Sequence, residues 1–211
     1  MVVINPMPPS RAATLTLVGG ELALDFANTS SGRGSPEWQE HLQAPGDVAD
    51  WAGHARVMPP EDAVWLKSAA QADPALGDRL LRSALELRDD LNALGVELAE
   101  RRAAPAAAID RIRVLHARCL EKARLAPFGA HFAWNWRARS SPVEAVLGPI
   151  SLSALTTLLQ ADLTRIKQCP GEKCGWLFLD TTKNKSRRWC EMEVCGNRAK
   201  QKRLASRTRG A

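Results

Sequence analysis

Four of the five cysteines stand in two pairs near the C-terminal end, Cys169-x4-Cys174 and Cys190-x4-Cys195, with fifteen residues between the pairs. Thiolates at this spacing suit a tetrahedral zinc ion, at the wide end of the range such sites use. A module of about forty residues cannot bury enough apolar surface to fold unaided, whereas zinc on four thiolates contributes roughly 10 to 16 kcal/mol. Four protein ligands leave no open coordination position, so the expected cofactor is one structural Zn2+ and not a catalytic one. Two disulfides are the rival reading. The opening MVVINPMPPS lacks the charged and continuous apolar regions of a secretory signal, which favours a reducing compartment and the metal. Spacing alone does not separate zinc from iron, and zinc is the commoner occupant.

The residues flanking each pair say what the ion would hold. Gly175 followed by Trp176-Leu177-Phe178-Leu179 reads as a knuckle entering a strand, and Gly196-Asn197 followed by a basic run reads as a second knuckle opening a helix. That helix brings Asn197, Arg198, Lys200, Gln201, Lys202 and Arg203 into close succession. Arginine reads guanine edges, Asn and Gln read adenine, and lysine anchors phosphates, so the set suits nucleic acid. A second basic segment, Lys183 to Arg188, supplies Lys185, Arg187 and Arg188 as candidate backbone clamps. On a simpler reading Arg187, Arg188 and Arg198 only balance the charge of about −2 on a four-thiolate zinc centre.

The strings CGWLFLD (174–180) and RRWCEMEVCGNRAK (187–200) resemble the CGNR zinc finger, named for the residues that stand here as Cys195-Gly196-Asn197-Arg198. In that family the finger closes the chain behind an N-terminal domain called ABATE, and the pair is regarded, by inference, as a stress-responsive transcription regulator. The segment GGELALDFANT (19–29), with Arg33 after it, resembles the opening of the ABATE domain. Trp51 stands where the family has tryptophan, and Glu40 near where it tends to have aspartate. The resemblance implies a small-ligand site in this domain, for which Asp25, Asn28 and Arg33 are the first candidates. The simpler reading has Asp25 and Asn28 capping a helix or a turn and Arg33 pairing with Asp25.

These groups must be positioned by the rest of a 211-residue chain that is 45% hydrophobic and 25% charged, an ordinary globular composition. Its apolar runs look too short to span a bilayer, so no membrane partner and a cytoplasmic location are expected. Charge is unevenly placed. From Thr164 onward there are 13 Lys/Arg against 4 Asp/Glu, and before it 16 against 19, so the whole positive excess is C-terminal and points to a polyanion partner.

Periodicity predicts a disordered segment over 1–13, then a hairpin about Gly19-Gly20 from the alternation of Leu15, Leu17, Leu22, Leu24 and Phe26. Helices follow: one near Val48 to Ala52 with Asp47 as N-cap, one over 61–72, a long one over 76–102, one over 105–122, and one over 142–160, or a pair interrupted near Pro149. Between them 123–139 reads as a strand with Phe132, Trp134 and Trp136 on one side, packed in the core or, as the alternative, forming a base-stacking platform. The expected fold is α+β: a predominantly helical N-terminal domain with a small antiparallel sheet, plus a four-cysteine finger running knuckle, hairpin, knuckle, helix. The expected divisions are 1–13, 14–163, 164–204 and a basic flexible tail at 205–211, with the finger docked on the helical domain.

His116 and Cys119, three apart on one helix, have no second pair to complete a metal site, and the cysteine reads as a small hydrophobe. No catalytic fingerprint is found, so a non-enzymatic role is expected. The leading expectation is a DNA-binding regulator with a ligand-sensing N-terminal domain, working as a dimer or with a partner because one finger is short for a specific site. The alternatives are RNA binding, with Trp176 stacked on an unpaired base, and an enzyme using Asp25, Asn28 and Arg33.

Overall fold

The computed structural model describes residues 10–209. Its helices are α1 (Leu22–Ala27), α2 (Pro45–His54), α3 (Pro60–Ala72), α4 (Pro74–Ala99), α5 (Ala106–Lys122), α6 (Pro142–Gln160) and α7 (Asn197–Arg209). The strands form three separate antiparallel pairs: β1 (Ser30–Ser31) with β2 (Gln39–Glu40), β3 (Arg124–Phe128) with β4 (His131–Asn135), and β5 (Ile166–Gln168) with β6 (Leu177–Leu179). Prolines open α2, α3, α4 and α6 in their first turn, where the missing N–H has no helical partner to lose. Asp73 caps α4 by accepting from the amides of Ala75 and Leu76. Asp47 is not the N-cap of α2. It sits in the first turn and accepts from the amides of Gln43 and Ala44, at 2.8 Å each.

Helix α4 is the axis of the fold. Leu80, Ala84, Leu87, Leu91 and Leu94 are buried along it, and α1, α2, α3, α5, α6 and the β5–β6 pair all pack on it. One charge is buried on the same helix: Arg88 donates to both oxygens of Glu40, at 2.9 and 2.8 Å, and to Asp89 at 2.7 Å. This tie holds the β1–β2 loop to α4. Helix α6 runs through Pro149 without a break and buries Val146, Leu147 and Ile150. Contrary to the expectation from run lengths, it is long and apolar enough to cross a membrane by length and composition, although its buried face packs on α1, α4 and α5.

Four local expectations are corrected. The 22–27 segment coils into α1 and does not form a hairpin, because Ala23 and Ala27 are buried as fully as Leu24 and Phe26, and six residues are too few to separate the two periods. Residues 10–13 of the expected disordered segment are ordered: Arg11–Thr14 form a 3-10 turn with Ala12 fully buried, while 1–9 lie outside the described residues. Helix α7 continues through the expected flexible tail to Arg209, and 210–211 lie outside the description. The β3–β4 hairpin leaves Phe132 67% and Trp134 44% exposed, so of the three alternating aromatics Trp136 is the one that packs. Its indole donates to the carbonyl of Cys119 at 2.7 Å.

The C-terminal module is docked through its own backbone. The Asn28 side chain bonds both polar groups of Leu177, donating to its oxygen at 2.8 Å and accepting from its nitrogen at 2.7 Å, and so extends α1 into a mimic of a neighbouring strand. Leu177 is fully buried in the core of the helical domain, against Gly95 of α4, where a Cβ would come within 2.3 Å of its Cδ1. Further ties run from the amide of Leu179 to Gly19, from the amide of Gly32 to Cys174, and from the Trp176 indole to Ser30 and Ser31. Asn28→Ala orphans a buried N–H and a buried C=O and should cost about 2 to 4 kcal/mol in denaturant unfolding of the zinc-loaded chain. A change below about 0.5 kcal/mol would remove this clamp from the account.

Candidate metal centre and nucleic-acid interface

The hairpin β5–β6 carries the first pair of cysteines in its loop. Cys169 follows β5 and donates its amide to Trp176 O at 2.8 Å, Cys174 donates to Gly171 O at 2.9 Å, and Gly175 turns the chain into β6 with φ of +69°. The second pair stands at a widened helical turn, Met192–Gly196, in which Glu191 O accepts from the amides of both Cys195 and Gly196. Helix α7 leaves directly from that turn. The four Sγ atoms are buried and lie within 4.8 Å of one another, with 3.4 Å between Cys174 and Cys190 and 3.6 Å between Cys190 and Cys195. No disulfide joins them, and the convergence of all four on one point favours the metal over the disulfide alternative.

Zinc–sulfur bonds of about 2.3 Å set tetrahedron edges of about 3.8 Å, so the sulfurs fit one zinc ion with all four positions filled by protein. The electrostatics agree. Hydrogen bonding to the Cys169 sulfur holds the Cys174 and Cys190 thiols up, burial holds Cys195 up, and the thiols of Cys174 and Cys190 together pull Cys169 down to about 2. A dication stabilises all four thiolates and ties both knuckles to one point. Among the described residues no other group of three or more His, Cys, Asp or Glu side chains converges in this way. Cys119 is buried with its thiol pushed up to about 12 by burial, and His116 bonds Ser151, as expected of core residues.

The predicted nucleic-acid residues separate into two classes. Arg187 is structural: its guanidinium donates to the carbonyls of Val18, Trp189 and Cys190 and lies 4.3 Å from the ring centre of Phe178, so it staples the finger to the N-terminal segment. Lys185 is exposed and pairs at the surface with Asp162 at 2.8 Å and Thr164 at 2.9 Å. The two residues belong to one loop. Asp180, a fully buried acid among cations, accepts from Lys167, from the Arg187 amide and from Thr182, and so pins both ends of the 182–187 loop. Burial alone would push its carboxyl up, yet these donors hold it well below the usual carboxylate range. The Asp-x-Thr spacing of 180–182 was the available signal for this turn.

Arg188, Arg198, Lys200, Gln201, Lys202 and Arg203 are exposed. Arg188 lies 5.3 Å from the ring centre of Trp189, and Lys202 pairs with Glu172. Asn197 is exposed and donates to Glu193 O at 3.0 Å, a tie across the first helical turn. Lys173 was missed by sequence reasoning. It borders the same surface from the first knuckle and pairs with Glu37 of the helical domain.

The three ligand-site candidates do not converge. Asp25 accepts from the Gly19 amide at 2.7 Å, and burial raises its carboxyl. Asn28 is engaged with Leu177, and Arg33 pairs with Asp89 at 2.5 Å, not with Asp25. The cavity that does open between the two parts, about 580 Å³, is bounded by Arg11, Thr16 and Gln39 on one side and Trp176, Glu191 and Arg198 on the other.

Metal analysis after gel filtration should find one zinc per chain. Cys195→Ala should lose most of it and lower the melting temperature, whereas Cys119→Ala should retain it. Full retention by Cys195→Ala would contradict the four-thiolate centre.

No match is found among curated proteins. Family models match two consecutive segments: the CGNR zinc finger over residues 165–208, and ABATE, described as "Putative stress-induced transcription regulator", over residues 20–161, more than half of the chain. With the signature segment of 19–29 forming α1 and the finger's cysteines gathered at one point, the chain belongs to the ABATE family and carries a C-terminal CGNR zinc finger.

Proposed function

We propose that this protein is a cytoplasmic, non-enzymatic transcription regulator that binds DNA through its finger, with the helical domain sensing a ligand or partner. One observation carries the reading: α7 leaves the metal centre with its first turn fixed and presents Arg198, Lys200, Lys202 and Arg203 to solvent beside Arg188 and Lys173. A rigid cationic helix of this kind neutralises phosphates first and gains specificity from a groove or from a second copy. A homodimer supplies that second helix in this reading.

RNA binding through Trp176 is less well supported, since the indole N–H is bonded to Ser30 and Ser31 and helps hold the two parts together. The ligand-sensing role moves away from Asp25, Asn28 and Arg33 to the cavity between helical domain and finger. There an occupant would touch Arg198 directly and so alter the finger's charge. Stress as the input rests on the family description alone.

Binding of the zinc-loaded chain to random duplex DNA across a salt series tests the reading. Affinity should fall steeply with salt, and Lys200→Ala should flatten the logarithmic slope by about one unit. Absence of duplex binding at about 50 mM salt would overturn it.

A further inference from the structure

Helical geometry divides the α7 side chains. Arg198, Ala199, Lys202 and Arg203, at i, i+1, i+4 and i+5, share the face turned toward the first knuckle, while Lys200 and Gln201 fall on the opposite side. Between that face and the knuckle lies a cleft of about 360 Å³, walled by Pro170, Gly171, Trp189 and Ala199 together with Cys174 and Cys195 of the metal centre, and rimmed by the cations.

The character of the cleft is mixed, and this narrows the ligand. A paired duplex is a convex rod whose phosphates seek an exposed cationic ridge and whose bases stay stacked, so it has nothing to place against a recessed apolar wall. An inorganic anion would use the rim and ignore the wall. A flat apolar body carrying a phosphate uses both, as in single-strand binders that combine aromatic walls with a basic groove. Across the mouth Glu172 pairs with Lys202, both about 70% exposed, so the contact is weakly held and is open to replacement by a phosphate oxygen.

We propose that this cleft receives a nucleotide lifted out of the base stack, with its base between Trp189 and Ala199 and its phosphate on Arg198 and Lys202. The proposal rests on the nucleic-acid reading of the finger and adds which state of the strand is bound: one with an unstacked nucleotide, in a bulge, a melted segment or a free single strand.

The test compares the zinc-loaded full chain on a paired duplex, the same duplex with one unpaired nucleotide, and single-stranded DNA and RNA of about twelve nucleotides, by anisotropy at fixed salt. Ala199→Leu fills the cleft without changing charge, and its zinc content and melting temperature report its fold. The unpaired-nucleotide duplex or a single strand should bind about tenfold tighter than the paired duplex, and Ala199→Leu should erase that advantage while paired-duplex affinity stays within about twofold. The DNA and RNA strands separate the two sources of an unstacked base. As a second readout, 2-aminopurine at the unpaired position should change emission on binding the native chain and not Ala199→Leu. Equal binding of paired and unpaired forms would overturn the cleft proposal and leave the DNA reading standing; no binding in any arm would overturn both.

Discussion

Four sulfurs held within 4.8 Å of one another are the constraint on which the rest of the chain depends. Buried thiolates at that distance repel, buried thiols there satisfy little, and a dication resolves both conditions by joining them. The consequence reaches beyond the finger. The loop of the β5–β6 hairpin supplies two of the sulfurs, and β6 continues from it into the helical domain, where Leu177 is held by Asn28 and lies against Gly95. The other two sulfurs fix the start of α7. The ion therefore links the core of the helical domain to the basic helix through one short strand and one turn, and the finger is a fused part of the body.

That fusion decides which cations are available to a partner. The positive excess of the C-terminal segment is not uniformly free, because Asp180 holds Lys167 and the Arg187 amide, and the Arg187 guanidinium reaches across to Val18. Lys183, Lys185 and Arg188 stay exposed on that loop, and the cations of α7 lie on two faces with different surroundings. Lys200 and Gln201 face open solvent, whereas Arg198, Lys202 and Arg203 border a cleft with an aromatic wall. Counting charge singles out a module; hydrogen-bond geometry says which of its cations are tied to the body.

The metal ligands were fully legible in the sequence, because spacing and residue type determine a four-thiolate site almost alone. The long helices were legible too, since α4 and α5 run for enough turns to make their period unambiguous. Short segments were not: LALDFA alternates like a strand but coils, because alanine is small enough to be buried on either pattern. Polar roles were the least legible. Nothing local to Asn28 says that its amide will pair with Leu177 across 149 positions, or that Arg33 will meet Asp89 and not Asp25, since these partners are chosen by tertiary packing. The β3–β4 aromatics failed for the same reason: alternation gives a strand and its faces, but not whether another layer covers them.

Hydrogen exchange on the zinc-loaded and chelated full chain tests the central claim most directly. If the ion holds finger and helical domain as one unit, chelation should release protection not only at Cys169, Cys174 and Cys195 but also at Leu177 and Leu179 and at the α1 amides near Asn28, while the far end of α5 stays protected. Loss of protection confined to 169–209, with α1 unchanged, would contradict the account and make the finger an independent appendage.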